Sequence, residues 1–108
     1  AEAILEIQHG YPITFNDPDL TAQMVPTLQD VAGKDKVILV PAVTGAEDFS
    51  FFVEEIPGLY FFLGGLPRGG TPAGHHTPDF YIDESGMKLG VRAMANLVVD
   101  YFEMASGN

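Results

Sequence analysis

The sequence contains no cysteine, so it holds no disulfide framework and no thiolate ligand or nucleophile. Cations are scarce as well. Five lysines and arginines stand against fifteen aspartates and glutamates, a formal charge of −10. Such a surface repels phosphate backbones and anionic headgroups, which argues against nucleic acid or a membrane as a partner. No apolar run approaches the roughly 20 residues of a membrane span, and no secretory leader pattern is visible. The chain is therefore expected to be soluble, cytoplasmic or, if a parent carries a signal peptide, periplasmic. The glycine-rich stretch 64–74 lacks the lysine-ended phosphate cradle and opens no helix directly, which speaks against nucleotide binding. Internal repeats are absent too.

What is present is enough for one domain. The 108 residues are 46% hydrophobic and 11% aromatic, a composition that favours a folded chain over a disordered one. The chain opens inside an alternation, with Ala3, Leu5 and Ile7 on one face, Glu2, Glu6 and Gln8 on the other, and Ile4 as the exception. That pattern predicts a strand over residues 2–8. A start of this kind is expected of a piece cut from a longer protein.

Asp17-Pro18-Asp19 predicts a helix start, with Asp17 as N-cap and Pro18 at the first helical position. Leu20, Met24, Leu28 and Val31 follow at helical spacing and Gly33 supplies the stop. Pro26 removes one internal hydrogen bond and is expected to kink or split this helix near Met24. Lys36–Val40 is a β-branched run without alternation, as in a strand buried on both faces. Thr44-Gly45-Ala46-Glu47 fits a capping box opening a helix with Phe49, Phe52, Val53 and Ile56 on its apolar face. Pro57-Gly58 ends it, and Leu59–Leu63 reads as a further strand. Asp83 is positioned to cap a last helix. Met87, Val91, Met94, Val98, Tyr101 and Ala105 line one of its faces, and Lys88, Arg92, Asn96, Asp100 and Glu103 another. Strands alternating with helices predict an α/β fold, a partial sandwich of about three helices on a mostly buried sheet.

The chemistry concentrates in Gly74-His75-His76-Thr77-Pro78-Asp79-Phe80. Imidazole is the commonest metal ligand, and a proline-stiffened loop between elements is a good place to hold one. A histidine pair on such a loop is also what a plain solvated turn looks like. Glu47 is most simply the capping partner of Thr44. Glu84 suits the first turn of a helix by the macrodipole alone, and His9 has no evident partner.

Taken in order, Gly10-Tyr11-Pro12 with Asn16-Asp17, Gly45-Ala46-Glu47-Asp48-Phe49, Pro57-Gly58 with Leu63-Gly64, and His76-Thr77-Pro78-Asp79-Phe80 with Ile82-Asp83-Glu84 form a series. The series resembles the C-terminal part of the metal-dependent amidohydrolases of the aminoacylase and zinc-carboxypeptidase-like group, among them hippurate hydrolases, N-acyl-amino-acid amidohydrolases and auxin-conjugate hydrolases. The resemblance covers nearly the whole chain. It implies that residues 1–10 are the last strand of an inserted lid domain and residues 11–108 the C-terminal part of a larger catalytic domain. It implies an N-acyl amino acid as small-molecule substrate, cleaved by water activated between two divalent metal ions, zinc or manganese. His76, directly before Thr77-Pro78, matches the family's last metal ligand, whereas His75 does not match a ligand position. The remaining ligands and the general base would lie upstream, so the isolated chain is expected to be inactive and its main partner to be the rest of the parent chain. The turn Thr44-Gly45, with Glu47 behind it, is expected to meet the substrate carboxylate. Residues 2–8, deprived of neighbours, are expected to pair with another copy. A second reading from another class is a non-catalytic acidic α/β interaction module.

Overall fold

The computed structural model describes residues 1–107. The chain divides into two compact units. The first joins Ala1–Thr21 to Leu39–Tyr60, and the second joins Ala22–Ile38 to the chain from Phe61 onward. Among the described residues there are three α-helices, α1 (Pro18–Ala32), α2 (Ser50–Glu55) and α3 (Met87–Ala105), with single 3-10 turns at Lys34–Lys36 and Glu84–Gly86.

The start of α1 is set as its residues require. The Asp17 carboxylate accepts the Leu20 N–H at 2.8 Å, which satisfies one of the orphan donors of a first turn. The helix then runs unbroken through Pro26, so the expected split near Met24 does not occur. Packing outweighs the missing hydrogen bond, because Met24 (3% exposed), Thr27 and Leu28 are all buried beside the proline. Gly33 ends the helix in the left-handed region at φ 98°, where a side chain would be strained.

In the second unit the Thr27 hydroxyl donates to the Asp100 carboxylate of α3. α3 turns two of its small residues, Gly90 and Ala93, inward. Ala93 is 5% exposed, and a Cβ on Gly90 would stand 2.9 Å from the Leu63 side chain. The apolar stripe Met87, Val91, Met94, Val98 and Tyr101, the most regular pattern in the sequence, stays exposed instead. Asp83 caps as expected, but it caps the 3-10 turn: its carboxylate accepts the Ser85 N–H at 3.0 Å. Its own N–H reaches the Gly65 carbonyl at 2.7 Å.

The first unit is held by a different device. Asn16 clasps the backbone of Tyr60 with both ends of its amide, donating to the carbonyl at 2.8 Å and accepting the N–H at 2.7 Å. Asp17 N–H bonds the Gly58 carbonyl at 2.9 Å in the same strip. Gly58 is required here, since a Cβ would sit 2.4 Å from Val53 Cγ1 and 3.3 Å from the Phe49 ring.

The α/β sandwich expected from the sequence is overturned. Among the described residues there is no β-strand and therefore no sheet, whether buried or partial. Two of the segments read as strands are left in solvent, with Ile4 93% and Leu39 100% exposed, whereas residues 59–61 are half-buried and Phe62 and Leu63 exposed. A strand exists only as a member of a ladder. The β-branched run Val37–Val40 has the propensity but, among the described residues, joins no ladder, and propensity without a ladder fixes nothing. The helical element expected from Thr44 is likewise shortened, with α2 beginning at Ser50.

Charge is partitioned between the units. The first carries eight carboxylates (Glu2, Glu6, Asp17, Asp19, Glu47, Asp48, Glu54 and Glu55) and no lysine or arginine. All five cations lie in the second, beside the other seven carboxylates.

Candidate functional site

The residues singled out in the sequence fall into separate units. Thr44, Gly45 and Glu47 belong to the first and His76 to the second.

The histidine loop is tied by short-range bonds. Thr77 Oγ1 donates to the Gly74 carbonyl at 2.7 Å, and the Phe80 N–H returns to the Thr77 carbonyl at 3.1 Å. Tyr81 Oη reaches the Thr71 carbonyl at 3.3 Å. The His75 ring lies on Phe80 with centroids 4.8 Å apart, so this histidine packs locally. His75 is exposed all the same, and His76 differs from it in backbone conformation. His76 is also exposed and, among the described residues, is the one non-glycine in the left-handed region, at φ 63°. That conformation costs a side-chain-bearing residue on the order of 1 kcal/mol. The imidazole is thus presented outward from a turn held against its own backbone preference.

A metal ion needs more than this. Among the described residues no group of three or more His, Cys, Asp or Glu side chains could hold one. His76 supplies a donor without a surrounding set, so the residues present do not fit a complete metal centre.

The turn of the first unit is organised by Glu47, though not as a capping box. Its Oε1 accepts the Phe49 N–H at 3.2 Å and its Oε2 accepts the Tyr60 hydroxyl at 2.8 Å. The Tyr60 hydroxyl, followed by the Phe49 N–H, holds the Glu47 carboxyl below the usual carboxylate range. The same hydrogen bond raises the Tyr60 phenol above its ordinary value. The Phe49 ring stands 5.6 Å from Tyr60, centroid to centroid. Gly45 is open, with nothing within 4 Å of a built Cβ. A backbone N–H that an anion would want at this turn is therefore already taken by a carboxylate, and α2 is only six residues long.

Asn16 and Tyr60 are the organising pair that sequence reasoning missed as a pair. The signal was present in part, because Asn16-Asp17 belongs to the motif series. A separation of 44 positions between the partners leaves no local pattern to find.

Comparison with known proteins can now be set beside this geometry. Residues 2–100 match the peptidase family M20/M25/M40. The chain belongs to that family. It is 38% identical over 92 residues to thermostable carboxypeptidase 2 of Saccharolobus solfataricus, covering 84% of this chain and 23% of the relative. It is 33% identical over 92 residues to IAA-amino acid hydrolase ILR1-like 2 of Arabidopsis thaliana, with 85% and 21% covered. To the putative amidohydrolase YhaA of Bacillus subtilis it is 30% identical over 98 residues, with 90% and 25% covered. The M20-family chain thus spans about a quarter of the length of the curated relatives it matches. No solved structure matches it.

Family membership upholds the resemblance at that level. The finer expectation, a segment of a metal-dependent amidohydrolase with metal-binding and metallopeptidase-like character, is overturned for this M20-family chain. Among its described residues there is neither the sheet nor a ligand cluster that such a centre requires. The expectation of an enzyme is corrected on the same ground, because among the described residues no group of side chains could hold the metal ion it calls for. The second reading fits better, with its α/β build corrected to a helical one. Among the described residues no helix is long and apolar enough to cross a membrane.

Proposed function

We propose that this chain is a non-catalytic helical interaction module of the M20 family, built to associate with a larger polypeptide. The observation that carries this reading is the exposure of its apolar runs, Ile4–Ile7 and Ile38–Val40 above all. Contiguous apolar surface of this kind marks an interaction site when it is found on a folded chain.

The motif series supports placing the module among the aminoacylase-like and carboxypeptidase-like members, and the proposed partner is the upstream portion of such a chain. A second proposed contact is self-association through residues 2–8, which carry apolar side chains and backbone groups outside any ladder. His76 is proposed to contribute one ligand to a divalent ion, zinc or manganese, held chiefly by residues of that partner. Its outward presentation from a left-handed turn supports this.

The experiment mixes the purified chain with the upstream three quarters of thermostable carboxypeptidase 2 and measures the molar mass of the product by sedimentation. A one-to-one complex is expected, with no hippurate turnover by the chain alone in the presence of zinc or manganese. Turnover by the chain alone, or two species sedimenting independently, would defeat the reading.

A further inference from the structure

The first unit has to reconcile two properties. It exposes large apolar side chains, and every formal charge around them is negative. A shallow cleft of about 280 Å³ concentrates both. Phe15, Ile56 and Pro57 give it an apolar wall, while Asp17, Glu54 and Glu55 line the same cleft. Phe15 is 62% and Ile56 63% exposed.

We propose that this face docks a polypeptide whose apolar surface is fringed with lysine or arginine. The proposal rests on the reading of the chain as an interaction module and names the chemistry of the partner. Apolar contact supplies the non-directional part of the binding. Charge decides which apolar surface is accepted. A lysine or arginine lays its methylene stem along Phe15 and Ile56 and leaves its head at Glu54 and Glu55. An acidic partner meets the same rim with like charge, which is how interfaces reject wrong partners. At this cleft a second copy of the unit is such a wrong partner, whatever residues 2–8 do elsewhere, since it brings eight carboxylates against eight with no lysine or arginine on either side. Among polypeptides, then, the occupant favoured here is a basic one.

The test uses two labelled amphipathic helical peptides with identical leucine patterns, one carrying only lysine and the other only glutamate at its polar positions. Fluorescence anisotropy against the full chain is read at low and high salt. The lysine peptide is expected to bind and to weaken with salt, and the glutamate peptide to fail. Glu54→Gln with Glu55→Gln should weaken the lysine peptide by about fivefold to tenfold. Asp79→Asn with Glu84→Gln, an equal charge change in the second unit, should stay within about twofold. Circular dichroism of both variants checks that the helices persist. Equal binding of the two peptides, or equal loss in the two variants, would overturn the proposal. So would a stable dimer of the chain that excludes the lysine peptide. Failure of both peptides, while the upstream partner still binds, refutes this inference alone; failure of peptides and partner together refutes the module reading as well.

Discussion

The two units hold themselves together by different physics. The second relies on side-chain burial, with Met24, Leu28 and Ala93 as its buried apolar residues. The first has no buried large hydrophobic residue. It is held by polar side chains that stand in for a sheet: Asn16 on both backbone groups of Tyr60, Asp17 on Gly58, Glu47 on Phe49 and Tyr60. Burial is non-directional and scales with area. A clasp is directional and fails all at once when one partner is removed. The two units should therefore respond oppositely to cavity-forming and to hydrogen-bond-deleting substitutions.

The largest effect is expected in the second unit. Met24→Ala opens a cavity beside Leu28 and should cost about 2–4 kcal/mol. In a core this small that is enough to melt α1 and α3. Thermal denaturation followed by far-ultraviolet circular dichroism reads it directly. A loss under about 1 kcal/mol would mean that the core is not where this unit's stability resides.

Next comes the clasp. Asn16→Ala leaves the part-buried Tyr60 N–H and carbonyl without their amide partner, worth about 1–3 kcal/mol. Asn16→Asp retains the acceptor for the N–H but places a carboxylate against the carbonyl, so it should recover only part of the loss. Hydrogen exchange at the Tyr60 amide is the sharper measure. It should accelerate in both variants while amides in the middle of α3 keep their protection. An equal acceleration in the middle of α3 would show that the units do not divide the labour in this way.

The contrast also explains what could be read from the sequence. Local signals held. Asp17 caps α1, Gly33 ends it, and the amphipathic final segment is a helix. Each rests on contacts within four residues, which a sequence displays. The sheet failed because Val37–Val40 and Leu59–Leu63 announce a preference for a ladder, and a ladder needs a partner that no local pattern can guarantee. The face of α3 that is buried was not legible for a related reason. Periodicity marks which residues are apolar together, and here the small residues Gly90 and Ala93, which allow close approach, took the inside. His76 was singled out by motif order, but its left-handed backbone has no signature in a His-Thr-Pro string.

A smaller effect comes from the Glu47–Tyr60 pair. The Glu47 carboxyl is depressed, chiefly by the Tyr60 hydroxyl. A depressed carboxyl stabilises the fold above its unfolded value, 4.5 for this group, and the contribution fades as pH falls through the folded value. The Tyr60 phenol is raised, chiefly by Glu47. Its contribution is complete below the ordinary 10.0 and is lost as pH climbs through the raised value. The first unit should therefore have a flat stability plateau between those limits, with losses on both flanks. Tyr60→Phe should remove the alkaline flank and return Glu47 toward the usual carboxylate range, as followed by carbon-detected NMR of its side chain. A Glu47 titration unchanged by Tyr60→Phe would assign the depression to the Phe49 N–H instead.

The smallest effect separates the two histidines. His76 sits at φ 63° with its ring in solvent, whereas the ring of His75 rests on Phe80. His76→Gly relieves a left-handed strain of about 1 kcal/mol and gives back part of it as unfolded-chain entropy. The net should be a gain of a few tenths of a kcal/mol. His76→Ala keeps the strain and should leave stability where it is. His75→Gly forfeits the ring contact with nothing to relieve, and should lose about 0.5–1 kcal/mol. The sign of the His76→Gly change is therefore informative even though its size is modest. A gain means the fold tolerates this histidine at a cost, so that its reason for being there lies in what the imidazole meets outside the chain. A loss comparable to that of His75→Gly would mean that the His76 ring holds the loop and has no outward task.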